Sequence, residues 1–293
     1  MRMNKELSLL VCPICKQKLL FPKPTRLYCS PCKVYYPIEH GIPVLIDRSN
    51  LPKHLEKQIQ YFQTETKDYC KTYKLEAWQN KYVDRLLAHV VTCKGKVVVD
   101  DGCGSAYISI ELAKRGACVI ACDLNMEALI RLKGIAVKLG LQNKILPACC
   151  SSENLPIRNK SADVIVANAV LEHLPGEQLA IQDITRIAKK EAVTMITAPI
   201  AYHLLNPIFL PLNVIHDRRI GHLRRYTKEM LVSRFSKWKL LNVFYTGHTV
   251  KIIKTLINII FCLYDVEKIE EDDERLSTKK MFASNISIIF QKK

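Results

Sequence analysis

The stretch KVVVDDGCGSAYISIELAKRG, residues 96–116, restricts the fold of this chain more than any other. Val97, Val98 and Val99 form a continuous β-branched run, suited to a parallel strand buried on both faces. Asp100, Asp101, Gly102, Cys103 and Gly104 follow, and then an amphipathic segment that ends at Gly116. Gly102 and Gly104 let the backbone approach a ligand closely, and the start of the helix supplies oriented N–H groups. A second apolar run, ACVIACD (117–123), ends in Asp123, where a carboxylate can take both hydroxyls of a ribose. Strand, glycine turn, helix and strand predict an α/β sheet with a nucleotide-type site. A dinucleotide site opens the same way, but its G-x-G-x-x-G pattern needs a third glycine where this chain has Tyr107.

The D-x-G-x-G spacing, with Asp100 at the strand end, instead resembles the first motif of class I S-adenosylmethionine (SAM)-dependent methyltransferases. The resemblance continues through SSENLPIRNKSADVIVANAVLEHLPGEQLAIQDITRIAKKEAVTMITAP (151–199), where Leu171, Glu172, His173 and Leu174 match the family's L-E-H-L helix. Residues KLLNVFYTG and SNISIIF then resemble the antiparallel pair that closes a Rossmann-like seven-stranded sheet. For cofactor binding, the resemblance implies Asp100, Gly102, Cys103 and Gly104 at the turn and Asp123 with Leu124 at the ribose. It also implies Ser151, Ser152 and Asn168 along the remaining edge. The chain departs from the family in three places. Ser151 stands where an acid often meets the adenine amino group, Ser105-Ala106 replaces the common Thr-Gly pair, and AKKEAV replaces Pro-Gly-Gly before the fifth strand.

Ahead of this region, CPIC and CSPC place Cys12, Cys15, Cys29 and Cys32 as two C-x-x-C pairs. Two such turns across a hairpin make a closed tetrahedral site for a structural zinc ion, and a module of this size needs the metal to fold. LVCPICKQKLL and LYCSPCKVYYPIEHGIPVLI resemble the Trm112-like zinc-ribbon family, with Tyr36, Pro37, Ile38, Gly41, Ile42, Pro43 and Leu45 matching its tail. That resemblance implies a module that binds or activates methyltransferases. The expected organisation is a ribbon over residues 1–48 and a methyltransferase domain over 49–293, with residues 49–92 as an N-terminal helical lid. Most of the lid's aromatics are expected to pack, while Tyr61, Tyr69 and Tyr73 are candidates to close over cofactor. The other eight cysteines lie along core elements and read as free thiols of a reducing, cytoplasmic compartment.

Methyl transfer from a sulfonium is an in-line displacement that demands positioning above all. Asn168-Ala169-Val170-Leu171 is not the N-P-P-Y type used for exocyclic amines, and no Pro-Cys nucleophile for cytosine C5 is present. The segment HDRRIGHLRRYTKEML (216–231) resembles one found in the type 11, small-molecule branch of the family. Asn168, His222 and Arg224 are the candidate catalytic residues, and His173, His216, Asp217, Arg225 and Tyr226 could join them at the cavity mouth. His173 is better read as a packing histidine bonded to its own loop, and Thr227 as a helix cap.

The acceptor stays open. Apolar segments 204–215 and 252–264 suggest a small or lipid-like molecule in a greasy pocket, or contact with a membrane surface. A net charge of +16, with the ribbon-first layout of zinc-ribbon guanine methyltransferases of ribosomal RNA, suggests an RNA (rRNA or tRNA) acceptor. A non-catalytic SAM-binding adaptor is the third reading. The first residues carry too short an apolar run for a signal peptide, and no segment reaches the roughly 20 residues of a membrane span. The acidic run DVEKIEEDDER (265–275) is expected to be a solvated loop.

Overall fold

The computed structural model describes residues 7–47, 51–65, 73–201, 214–261 and 263–293. The chain opens with four short antiparallel strands, β1 (Leu20–Lys23), β2 (Arg26–Cys29), β3 (Val34–Glu39) and β4 (Ile42–Pro43). Two helices follow, α1 (Lys53–Glu65) and α2 (Ala77–Leu87). Strands and helices then alternate: β5 (Val97–Asp101), α3 (Tyr107–Lys114), β6 (Cys118–Asp123), α4 (Met126–Lys138), β7 (Ile145–Cys149), β8 (Ala162–Asn168), α5 (Glu177–Ile187) and β9 (Ala188–Pro199). Helices α6 (214–220) and α7 (Lys228–Arg234) lead to β10 (Trp238–Thr246), α8 (Thr249–Phe261), α9 (Val266–Arg275) and β11 (Asn285–Lys292).

Strands β5–β11 form one seven-stranded sheet in the order β10-β11-β9-β8-β5-β6-β7. The β-branched run of β5 sits at its centre, with Val98 beside Val119 of β6 and Val164 of β8. Its side chains alternate between two apolar cores, Val99 in one and Val98 in the other, which is why the run needs no polar face. β11 is antiparallel to both β9 and β10, the closing pair expected from the sequence. The strand order reverses between β5 and β8, which run parallel, so the cavity opens where these two strands end.

The ribbon shares the core of the larger unit. Leu9, Leu10, Leu19, Leu27, Tyr36 and Leu45 pack in the same cluster as Ile120, Leu155, Ile165 and Ile184. Val44 pairs in parallel with Cys149, and Leu45 N–H donates to the Cys149 carbonyl at 2.7 Å, so the ribbon extends the exposed β7 edge. Val11 N–H donates to the Pro156 carbonyl and Arg158 N–H to that of Leu9, both at 2.8 Å.

One expectation is overturned. Residues 265–275 are largely helical: the Asp265 carboxylate accepts from Glu267 N–H and caps α9, which buries Ile269, Glu270 and Asp273. The stretch 252–264 belongs mainly to α8, whose Lys251 and Lys254 pair with Glu270 and Asp272 of α9, while Ile252, Ile253, Leu256, Ile259 and Ile260 are exposed. Among the described residues no helix is long and apolar enough to cross a membrane. Tyr69 and residues 204–213 lie outside the described residues.

Candidate active site

A cavity of about 480 Å³ lies beyond the ends of β5, β6 and β8, within the ~300–1,000 Å³ usual for small-molecule sites. Its first wall is the glycine turn. Gly102 has φ +68°, and a Cβ there would come within 2.5 Å of Val170, so the turn tolerates no side chain. Ala106, which replaces the family's usual glycine, is held at φ +59° as the residue before α3. Asp123 closes the turn, its Oδ2 accepting Gly104 N–H and its Oδ1 accepting Asn125 N–H, each at 2.8 Å. Burial raises the Asp123 carboxyl above its ordinary value, opposed by those backbone donors. Gly102, Cys103, Gly104, Asp123, Leu124, Ser152 and Asn168 all line this cavity. With free lone pairs on Asp123 and backbone at Gly102 and Gly104, this wall can hold a ribose and a charged amino-acid tail.

The second wall was only partly legible. On α1, Leu55, Gln58, Ile59 and Phe62 fall at helical spacing on one face and line the cavity with Tyr61 and, from α2, Trp78. Tyr107 also lines it, and Asn168 Nδ2 donates to the Tyr107 hydroxyl at 3.1 Å. Gln58 Nε2 donates to the carbonyls of Gly221 and His173 and lies 2.9 Å from His173 Nδ1, which ties α1 to the loop after α6.

The remaining boundary is a group of histidines. His173, His216 and His222 line the cavity. His222 Nδ1 meets Asp217 Oδ1 at 2.9 Å, and Arg225 clamps Asp217 through two bonds of 2.8 Å. Burial works against the Asp217 carboxylate, but Arg225 and His222 hold it below its ordinary value. Burial lowers both histidines, His173 to about 4, so both imidazoles are neutral near pH 7. His222 Nε2 lies 3.8 Å from Glu172 Oε1, and burial pushes that fully buried carboxyl up to about 8. His173 is thus a cavity residue as well as a packing one.

Other expected site residues lie elsewhere. Asp100 is buried behind the turn, where its carboxylate accepts from Ser109 N–H and Oγ and fastens α3 to β5. Ser151 caps the short turn at Ser152–Asn154 by accepting from Glu153 N–H, and Cys150 and Ser152 reach the cavity in its place. Arg224 donates to the Leu171 and Leu174 carbonyls and pairs with Glu177, and Tyr226 is buried with its hydroxyl on Glu177. Arg225 is taken up by Asp217. Each of these side chains is engaged by protein partners. Tyr73 packs under Lys114 and donates to Glu111, away from the cavity. Thr227 caps α7, accepting from Met230 N–H.

The four ribbon cysteines gather at one point, with Sγ separations of 3.9 Å for Cys12–Cys32 and 3.4 Å for Cys15–Cys29. Ligands about 2.3 Å from a tetrahedral zinc stand about 3.8 Å apart, so this sulfur set fits the metal.

Comparison with known proteins divides along the same line. Residues 99–196 match the family described as a methyltransferase domain, and residues 5–41 match the Trm112p-like proteins. A UPF0434 protein of Methylobacillus flagellatus is 40% identical over 57 residues, 19% of this chain and 95% of that protein. A ubiquinone biosynthesis O-methyltransferase of Nitrosomonas europaea is 28% identical over 144 residues, which is 47% of this chain and 58% of the enzyme. The structure of a putative sarcosine dimethylglycine methyltransferase from Galdieria sulphuraria superposes with a TM-score of 0.58 at 15% identity, over 81% of this chain and 98% of that one.

Proposed function

The chain belongs to the class I SAM-dependent methyltransferases and carries a Trm112-like ribbon, and from that premise we propose that it methylates a small or lipid-like acceptor. One observation carries the acceptor class. The wall opposite the glycine turn is an apolar and aromatic surface of α1 and α2, joined to a few polar groups at Asn168, His173 and His222. A flexible polynucleotide would need an open basic track, whereas here the arginines of the 216–226 segment nearest the cavity are spent on Asp217, Glu177 and carbonyls.

In this reading the cofactor's amino-acid end lies on Gly102, Cys103 and Gly104, its ribose on Asp123 beside Leu124, and its base along Cys150 and Ser152. Asp100 and Ser151 shape that wall without touching the ligand. Bound there, the cofactor supplies an electrophilic methyl on a sulfonium. The chain contributes alignment of the acceptor's lone pair with that methyl, excludes water with α1, and receives the acceptor's proton on the histidine side. An acceptor hydroxyl would yield the methyl ether, the demethylated cofactor and one proton. The O-methyltransferase name of the Nitrosomonas relative favours oxygen as the atom methylated. The ribbon, residues 1–48, holds zinc on Cys12, Cys15, Cys29 and Cys32 and supports the 149–157 edge of the site.

The RNA reading draws on the net charge of +16. Transfer of tritiated methyl from SAM into fractionated lipid, small-molecule and RNA extracts separates the two. Label confined to organic-soluble or small-molecule fractions is expected. Label in RNA alone overturns the acceptor class, and binding of SAM without transfer to any fraction leaves the adaptor reading.

A further inference from the structure

Glu172 is the most exceptional polar residue of the molecule. It is fully buried and neither carboxylate oxygen has a hydrogen-bond partner. An orphaned buried carboxyl is costly, so its surroundings should hold whatever satisfies it. They hold two imidazoles. Glu172, His173 and His222 each present a ligand atom within 4.8 Å of the others, and both histidines also line the cavity. We propose that Glu172, His173 and His222 form a binding site for a divalent metal ion of the zinc type on the histidine side of the cavity.

The surroundings support the assignment. His222 gives its Nδ1 to the Asp217 carboxylate at 2.9 Å, which leaves the Nε2 lone pair directed toward Glu172, 3.8 Å away. A carboxylate behind a ligating imidazole is the common outer support of a metal site, and Arg225 fixes that carboxylate in turn. His173 Nδ1 lies 2.9 Å from the Gln58 amide nitrogen and 3.3 Å from the Gly221 carbonyl, contacts that fix the orientation of the ring.

Two imidazoles and one carboxylate suit a borderline ion such as zinc better than magnesium or calcium, which prefer all-oxygen shells. Zinc–ligand bonds of about 2.0–2.2 Å require the three atoms to close to roughly 3.4 Å, a contraction within reach of side-chain motion. An alternative grouping, His216 with Asp217 and His222, rests on an exposed histidine and on a carboxylate already occupied by Arg225. Three protein ligands leave a coordination position open to the cavity. On the function proposed above, an acceptor oxygen bound there would lose its proton to solvent near neutral pH. That step rests on the methyltransferase reading, whereas the metal site stands without it.

The test is metal content after equilibrium dialysis of the full chain against micromolar zinc, with binding of S-adenosylhomocysteine as the control for folding. Wild type is expected to hold one zinc more than Glu172→Gln or His222→Asn, all three binding the nucleoside, and His216→Ala is expected to match wild type. Equal zinc in wild type and both site variants overturns the proposal. Should both variants fail to bind the nucleoside, cobalt(II) added to wild type carrying a single zinc per chain, held by the four thiolates, decides. Visible bands of a nitrogen and oxygen site without thiolate charge transfer support the site, and their absence overturns it. Loss of methyl transfer to every acceptor would leave this outcome untouched, so the two readings fail separately.

Discussion

Asp123 locks the glycine turn with the same carboxylate that it offers to the cavity, Oδ2 accepting Gly104 N–H at 2.8 Å while the side chain lines the site. Turn closure and the proposed ribose contact therefore fall to one residue. Asp123→Asn replaces an acceptor oxygen by an amide donor, which cannot accept from both Gly104 and Asn125. A lost charged hydrogen bond costs about 1.5–3 kcal/mol, so titration calorimetry with S-adenosylhomocysteine is expected to show affinity weakened on the order of 100-fold. Unchanged affinity would show that the nucleoside binds elsewhere.

The continuous core between ribbon and sheet makes metal loss a whole-molecule event. Cys29 is buried beside Leu27 and Tyr36 in the cluster that also holds Leu155 and Ile165. Cys29→Ser, or chelation, should lower the melting temperature by on the order of 10 °C and weaken S-adenosylhomocysteine binding through the 149–157 edge. Calorimetry is expected to show one transition. Two separate transitions, with nucleoside affinity intact, would mean that the ribbon is an independent passenger.

What the sequence disclosed was local chemistry. The strand-turn-strand unit was legible because Val97–Val99, Gly102, Gly104 and Asp123 each announce their role by residue type and spacing. The stripe Leu55, Gln58, Ile59 and Phe62 was equally readable by helical period, although no single residue drew the eye. In residues 216–226 the histidines His216 and His222 do line the cavity, whereas the engagement of Arg224 and Arg225 by Asp217, Glu177 and the carbonyls of Leu171, Leu174, Pro175 and Ile200 was not legible. Those partners lie up to about fifty residues away. Glu172 was seen as part of L-E-H-L, but nothing local reveals a carboxyl buried without a partner. The acidic run of α9 was read by charge alone, although Asp265 and Ile269 carried the cap and the buried position of a helix.

Asp101 predicts an unusual pH dependence. It is buried behind the cofactor wall, accepts from Ser152 Oγ, and has its second oxygen unpartnered. Burial pushes its carboxyl up to about 7 from the ordinary value of 3.8. A folded pKa above the unfolded one means that the native state favours the proton. The associated stability is complete below about pH 4 and disappears as pH rises through 7. Asp101→Asn removes that dependence, and should raise stability at pH 8 by up to a few kcal/mol relative to wild type while giving little at pH 4. Denaturant melts at the two pH values test it, and an equal effect at both would assign the residue another role.

Asp273 anchors the α8–α9 unit from within. Its carboxylate accepts from Gly247 N–H at 3.0 Å and His248 N–H at 2.9 Å, and it also meets His248 Nδ1. His248 passes the tie onward, its Nε2 lying 2.9 Å from the Lys279 carbonyl. Removing the carboxylate leaves two backbone donors and the His248 Nδ1 buried without a partner, for which about 3–5 kcal/mol is the usual cost. Asp273→Ala should therefore lower global stability by that amount and expose α8 and α9 to hydrogen exchange. The neighbouring Asp272 pairs with Lys254 on the outside of the same helix, where ion pairs contribute little. Asp272→Ala is accordingly expected to leave the denaturation midpoint where it is. Equal loss in the two variants would place the helix pair's stability in the surface charges of α9 rather than in the buried anchor.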